Sequence, residues 1–164
     1  MKTGIGFDIH KLKEKRKFIL GGIEIPYPKG PIGHSDGDVL LHSVSDAILG
    51  ALGKPDIGVY FPDTDEKIKG IKSTEILKKV IKIMGKEWKI NNVDIIIICE
   101  KPKISPYYEK IRENLSKLLK LKKENIGIKA KTFEKIGEIG KGNSVASFSI
   151  VSLKRTKQKR RKNE

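Results

Sequence analysis

Gly33-His34-Ser35-Asp36-Gly37-Asp38-Val39-Leu40-Leu41-His42-Ser43-Val44-Ser45-Asp46-Ala47-Ile48-Leu49-Gly50-Ala51-Leu52-Gly53 opens polar and then turns apolar at a helical spacing. Val39, Leu40, Val44, Ala47, Ile48, Ala51 and Leu52 share one face of a helix running from Asp38 to Gly53. Gly53-Lys54-Pro55 stops it. Around this helix lie segments with strand character. Residues 3–9 alternate weakly and are rich in glycine, β-branched and aromatic types, which reads as a strand. Phe18-Ile19-Leu20 and Ile23-Glu24-Ile25 flank Gly21-Gly22, two residues suited to the positive φ angles of a tight hairpin. Residues 26–31 and 54–69 read as loops. A second helix is expected from Ser73 to Gly85 with Ser73 as cap, and Val93 to Cys99 fits a central strand. Ser105-Pro106 opens a third helix, with serine as cap and proline at the first helical position. Its core face is Ile111, Leu115, Leu118 and Leu119; Ile126–Lys131 and Val145–Leu153 complete the strands. This alternation predicts an α+β fold, a mixed β-sheet with helices packed on one face. No repeat or internal boundary interrupts residues 1–153, which read as a single domain.

A chain of 164 residues is long enough to bury a core. Its longest apolar run, Ile95 to Cys99, is far too short to span a bilayer, and no membrane partner is expected. No secretory pattern opens the chain, because Asp8 and His10 interrupt it. Cys99 is the single cysteine, which excludes an intrachain disulfide and suits a reducing cytoplasm; a plastid-like organelle is the alternative. The net charge is +15, and the segment 154–164 sets seven cations against Glu164 alone. That segment carries +6 and reads as a basic, disordered tail, leaving +9 on the body to steer anionic ligands. No aromatic residue interleaves the tail charges, so a solvated extension is expected rather than a nucleic-acid arm.

The chain has three histidines, His10, His34 and His42, all within two polar segments. Asp8 and His10 are two apart in a strand and leave the same face. His42 lies on the helix, with Asp38 and Asp46 one turn before and after it, where either carboxylate could orient an imidazole. Asp8, His10 and His42 make a three-ligand set suited to Zn²⁺ with an open fourth position for a substrate oxygen.

Several stretches together resemble the 2-C-methyl-D-erythritol 2,4-cyclodiphosphate synthase family of the non-mevalonate isoprenoid pathway. They are GFDIH at 6–10, GGIEIPYPKG at 21–30, GHSDGDVLLHSVSDAILGALGKPDIGVYFPDTD at 33–65, the KPKI run at 101–104 and KTFEKIG at 131–137. The resemblance implies a Bacillus chorismate mutase-like fold and a homotrimer with active sites between subunits. It implies zinc on Asp8, His10 and His42, and a second divalent cation, Mg²⁺ or Mn²⁺, on Glu134. The implied reaction is an intramolecular phosphoryl transfer, a phosphorus–oxygen lyase activity. It converts 4-diphosphocytidyl-2-C-methyl-D-erythritol 2-phosphate into the cyclic diphosphate and releases CMP. His34 and Thr132 match the transition-state stabilisers, and His34 and Ser35 match phosphate contacts. Asp56-Ile57-Gly58 and Phe61-Pro62-Asp63-Thr64-Asp65 match the erythritol-binding part. Cys99-Glu100-Lys101-Pro102-Lys103-Ile104-Ser105 matches the cytidine pocket, and Lys131-Thr132-Phe133-Glu134 with Lys141 completes the implied binding set. Four positions depart from the family pattern: Lys131 stands where a small hydroxyl residue is usual, and Glu138 where an aromatic or apolar one is. Lys141 replaces a customary arginine, and Asn143 replaces a usual glutamate.

Overall fold

The computed structural model describes residues 1–62 and 64–156. In chain order its strands are β1 (Lys2–Glu14), β2 (Phe18–Leu20), β3 (Ile23–Ile25) and β4 (Lys29–Pro31), followed by β5 (Trp88–Ile98), β6 (Ile126–Lys131) and β7 (Ser144–Arg155). The helices are α1 (Val39–Ala51), α2 (Ile57–Tyr60), α3 (Ser73–Met84), α4 (Tyr108–Leu119) and α5 (Gly137–Gly140). Five strands form one mixed sheet in the order β4-β1-β7-β5-β6, in which only β5 and β6 run parallel. β2 and β3 make the expected separate hairpin, with Gly21 at φ 61° and Gly22 at φ 75°.

α1 lies directly on β1. A Cβ added at Gly4 would sit 2.1 Å from the Ala47 carbonyl oxygen, and one at Gly6 would sit 1.9 Å from that of Ser43. Only glycine admits a helix backbone this close, and α1 answers with the small residues Ser43, Ala47 and Ala51. Ser43 Oγ donates to Ser147 Oγ at 3.0 Å and lies 2.7 Å from Ser149 Oγ, so the polar atoms in this contact are satisfied inside it. Val39, Leu40, Leu41, Val44 and Ile48 fill the space between α1, the sheet and α3 with side chains fully removed from water.

The other face of the sheet is open. Ile5, Phe7 and Ile9 of β1, Phe148 and Ile150 of β7 and Ile96 of β5 point out from it and remain 38–66% exposed. Phe7, Phe148 and Ile96 occupy one row across three strands, and the Phe7 and Phe148 rings are 4.5 Å apart. The isoleucine run at 95–98 therefore does not lie between two layers; Ile95 and Ile97 face the helices while Ile96 faces outward.

Five local expectations are corrected. Residues 54–69, expected as a loop, hold α2 and a 3₁₀ turn at Glu66–Ile68. Residues 29–31, expected in a loop, form β4 at the sheet edge against Leu12–Glu14. Ser73 does not cap α3: Lys72 holds the cap position without a side-chain bond, and the Ser73 hydroxyl is used elsewhere. Ser105 does not cap the third helix either, because Ser105–Tyr107 forms a 3₁₀ turn ahead of α4 and no side chain caps it. Lys154 and Arg155, assigned to the tail, extend β7 opposite Lys89 and Trp88, with the Arg155 guanidinium 5.5 Å from the Trp88 ring centre. Residues 157–164 lie outside the described residues.

Candidate metal centre and active-site clefts

The even positions of β1 beyond the helix contact carry the site. After Gly4 and Gly6, the same strand face presents Asp8 and His10, and α1 brings His42 over them from its second turn. Asp8 Oδ2 lies 2.8 Å from His42 Nδ1 and 3.0 Å from His10 Nε2, and the two ring nitrogens are 3.4 Å apart. These ligand atoms all lie within 4.8 Å of one another, a group that could hold a metal ion. A tetrahedral cation with bonds of roughly 2.0–2.2 Å separates its ligands by about 3.3–3.6 Å; the 3.4 Å between the ring nitrogens matches that, and the 2.8 and 3.0 Å to Asp8 are shorter. His10 Nδ1 donates to the Ile32 carbonyl at 2.5 Å, which turns Nε2 toward the trio. Burial would raise the Asp8 carboxyl, but hydrogen bonds and charge from His10 and His42 outweigh it. They hold Asp8 well below the usual carboxylate range, so it stays anionic.

Asp38 and Asp46, either of which could have oriented an imidazole, hold backbone amides instead. Asp38 is fully buried, caps α1 through the Leu41 amide at 3.1 Å, and accepts from Gly21 N at 3.0 Å and Gly22 N at 2.6 Å. Burial pushes its carboxyl up to about 6 against these three hydrogen bonds. Asp46 accepts from Ile57 N at 2.8 Å and so anchors α2 beside the site.

The trio opens into a cleft of about 800 Å³. Its walls include His34, Ser35, Ile57, Gly58 and Phe61, as the sequence implies, and also Arg16, Lys69 and Ile71. Arg16 gave no signal in the sequence; the backbone turn after β1, with Lys15 at φ 61°, and an Nε donation to Pro31 O at 3.3 Å bring it in. Asp56 caps α2 by accepting from Gly58 N at 2.8 Å and is not part of the cleft wall. Pro62, Thr64 and Asp65 follow on the chain outside that wall, and Asp63 lies outside the described residues.

A second cleft of about 540 Å³ is lined by Cys99 through Ser105, Lys131 and Thr132, together with Tyr27 and Tyr108. This is the stretch expected to form a cytidine pocket. Burial pushes the Cys99 thiol up to about 12, so it stays a neutral wall atom. Beside the cleft, Glu134 has φ 49° and Lys135 φ 62°, two successive non-glycine residues in the left-handed region. Such backbone strain collects where a side chain must be aimed; here Thr132 Oγ1 donates to Glu134 Oε1 at 2.8 Å. Phe133 N donates to Glu100 at 3.2 Å and ties this loop to the second cleft. Lys141 is exposed and donates to Glu138 at 3.2 Å, while Asn143 donates to the same carboxylate at 3.1 Å. The departures at 138, 141 and 143 thus form one internal network.

The two clefts share no lining residue. Asp8, Ser147, Ile97 and Ala130 lie in one row across the sheet. At a strand spacing of 4.7–4.9 Å, that row sets the trio and the second cleft roughly 14 Å apart within one chain.

Comparison with known proteins matches residues 1–154 to the YgbB family. The chain belongs to the YgbB family. The curated 2-C-methyl-D-erythritol 2,4-cyclodiphosphate synthase of Fusobacterium nucleatum is 51% identical over 158 residues, 96% of this chain and 99% of that protein. The synthase of the same name from Clostridium acetobutylicum is 53% identical over 154 residues, covering 93% of this chain and 99% of the other. Among solved structures of YgbB-like chains, IspF of Plasmodium falciparum in complex with CDP superposes with a TM-score of 0.82 at 38% identity. That match covers 95% of this chain and 97% of the other. The bifunctional IspDF of Campylobacter jejuni gives a TM-score of 0.90 at 40% identity over 94% of this chain and 42% of its own length.

Proposed function

We propose that this YgbB-family chain is a 2-C-methyl-D-erythritol 2,4-cyclodiphosphate synthase, a phosphorus–oxygen lyase acting in isoprenoid precursor formation. The observation that carries the reading is the Asp8–His10–His42 trio, set in a chain 51% identical to a synthase of that name over nearly its whole length. Asp8, His10 and His42 are the residues that would hold Zn²⁺, and Glu134 would hold Mg²⁺ or Mn²⁺. Bound there, divalent cations supply positive charge to the oxygens of the diphosphate undergoing displacement.

The remaining chemistry falls to the chain itself. The attacking group is the substrate's own 2-phosphate, already largely anionic at neutral pH with a second pKa near ~6, so no side-chain base is needed. Folding the substrate back for in-line attack can supply roughly 7–11 kcal/mol of the barrier. Ile57, Gly58 and Phe61 shape the cleft that would take the erythritol unit, and Asp56 holds Gly58 in place from outside its wall. His34, Ser35 and Arg16 face the same cleft and would bind phosphate oxygens. Lys101, Lys103 and Lys131 line the second cleft, suited to a nucleotide. The CDP bound to the Plasmodium falciparum protein supports that assignment. Thr132 would stabilise charge as the CMP oxygen leaves.

A homotrimer with active sites between copies is part of this proposal. Its support is the open apolar sheet face and the roughly 14 Å between the two clefts of one chain. Among the described residues no helix is long and apolar enough to cross a membrane, and we place the enzyme in the cytoplasm. Phosphorus NMR tests the activity: with the diphosphocytidyl substrate, Zn²⁺ and Mg²⁺, CMP and a cyclic diphosphate are expected. A linear phosphate product, or no CMP, refutes it.

A further inference from the structure

The edge of His42 turned away from Asp8 carries its own set of contacts. Nε2 lies 2.9 Å from Ser73 Oγ and 3.1 Å from Ser35 Oγ. Ser73 is wholly buried at the start of α3, and its hydroxyl makes a short hydrogen bond to the Asp36 carboxylate. The Ser73 amide also donates to both Asp36 oxygens at 3.2 Å. Counting donors fixes the direction of this chain. A carboxylate only accepts, so the Ser73 hydroxyl gives its proton to Asp36 and turns a lone pair toward His42. The ring then has to present an N–H at Nε2. With Nε2 committed to Ser73, Nδ1 is the ring atom left to face Asp8 Oδ2 at 2.8 Å and His10 Nε2 at 3.4 Å, and so the one that would ligate a cation.

Ser35 stands differently. Its Oγ accepts from Gly37 N at 3.1 Å, is the farther of the two hydroxyls from Nε2, and belongs to the wall of the metal cleft. With the Nε2–H directed at Ser73, the Ser35 hydroxyl proton is left, among the described residues, with the edge-of-range Ser73 Oγ at 3.4 Å as a side-chain acceptor besides the ring.

We propose that Ser73 and Asp36 are positioning residues for the metal centre. They hold His42 in the tautomer whose Nδ1 can ligate a cation, which leaves the Ser35 hydroxyl to donate to a substrate phosphate. This rests on the metal reading of the trio. It also ties the start of α3 to the chemistry, a role no local feature of Ser73 suggests.

Zinc affinity of the full chain, measured by competition with a chromophoric chelator, tests it. Ser73→Ala is expected to weaken zinc binding roughly ten- to hundredfold, the usual cost of losing the group that orients a ligating histidine. Ser73→Thr returns the hydroxyl and is expected to restore most of it. Ser35→Ala should keep wild-type zinc affinity and raise KM for the diphosphocytidyl substrate. Wild-type zinc affinity in Ser73→Ala, or an equal loss in Ser35→Ala, overturns the proposal while the metal centre stands. A wild-type chain that takes up no zinc overturns both. Nitrogen-15 NMR of the zinc-loaded wild-type chain gives a readout independent of any variant. His42 protonated at Nε2 supports the assignment, and protonation at Nδ1 refutes it.

Discussion

Two inactive variants of this chain should restore activity when combined. His42→Ala removes a ligand of the trio and leaves the second cleft intact; Glu134→Ala does the reverse. Within one chain the two regions are roughly 14 Å apart along the row Asp8, Ser147, Ile97 and Ala130. Paired metals acting on one displacement sit about 3.5–4 Å apart, and side chains do not close a gap of that size. On the proposed function, one diphosphate would draw its trio from one copy and its Glu134 from a neighbour. In a randomly mixed trimer, a site is whole when its trio comes from a Glu134→Ala copy and its glutamate from a His42→Ala copy. Each choice has a chance of about one half, so roughly one quarter of the sites should work. Co-expressed variants, assayed for CMP release, should reach about a quarter of wild-type turnover, with each variant alone near background. Mixed trimers recovered through two different affinity tags would each hold about one whole site in three, and if they are as inactive as the components the shared site is refuted.

Gly6→Ala places a Cβ 1.9 Å from the Ser43 carbonyl oxygen and must push α1 off β1. Overpacking of this kind costs about 1–3 kcal/mol or more; Tm should fall by several degrees and zinc retention should drop as His42 moves, and an unchanged Tm contradicts the packing. Asp38, at about 6 in the folded chain against 3.8 unfolded, contributes stability that is present below pH 3.8 and lost as pH rises through 6. Asp38→Asn is therefore expected to be less stable throughout, yet to lack that decline of at most roughly 3 kcal/mol between pH 4 and 6; urea unfolding at several pH values, giving parallel wild-type and variant profiles, would contradict it. Truncation after Thr156 should leave Tm and turnover unchanged, whereas truncation after Leu153 removes the pairing of Lys154 and Arg155 with Lys89 and Trp88 and should lower Tm. Equal Tm values for the two truncations would show that this end of β7 contributes nothing.

Periodicity read α1 well because its apolar positions face a real layer, and Asp38 and Gly53 mark its ends. The Gly21-Gly22 hairpin was equally plain, since two positive φ angles leave little choice of residue. What escaped the sequence was decided by partners distant along the chain. Ser73 and Ser105 look like caps by local rule, but Ser73 is claimed by Asp36, 37 residues earlier, and by His42. Asp38 sits one turn from His42, yet its carboxylate serves amides 16 and 17 residues away. β4 holds three residues including a proline, too short for any alternation to show. In the site, the trio was legible because its spacing is that of a strand and its members are chemically unusual. Arg16 was not, since a lysine-rich turn hides one more cation.

β1 writes two messages in alternate letters. Gly4, Gly6, Asp8 and His10 face α1, while Ile5, Phe7 and Ile9 face the open side where we place neighbouring copies. Substitutions on the odd register can therefore retune how copies associate without altering a ligand, and those on the even register can alter the chemistry without touching assembly. The independence ends with any change of length. Deleting one residue between Gly4 and Asp8 would, with Gly4 held in place, turn Ile9 into the helix and Asp8 and His10 outward, so this short stretch can drift in composition but not in count.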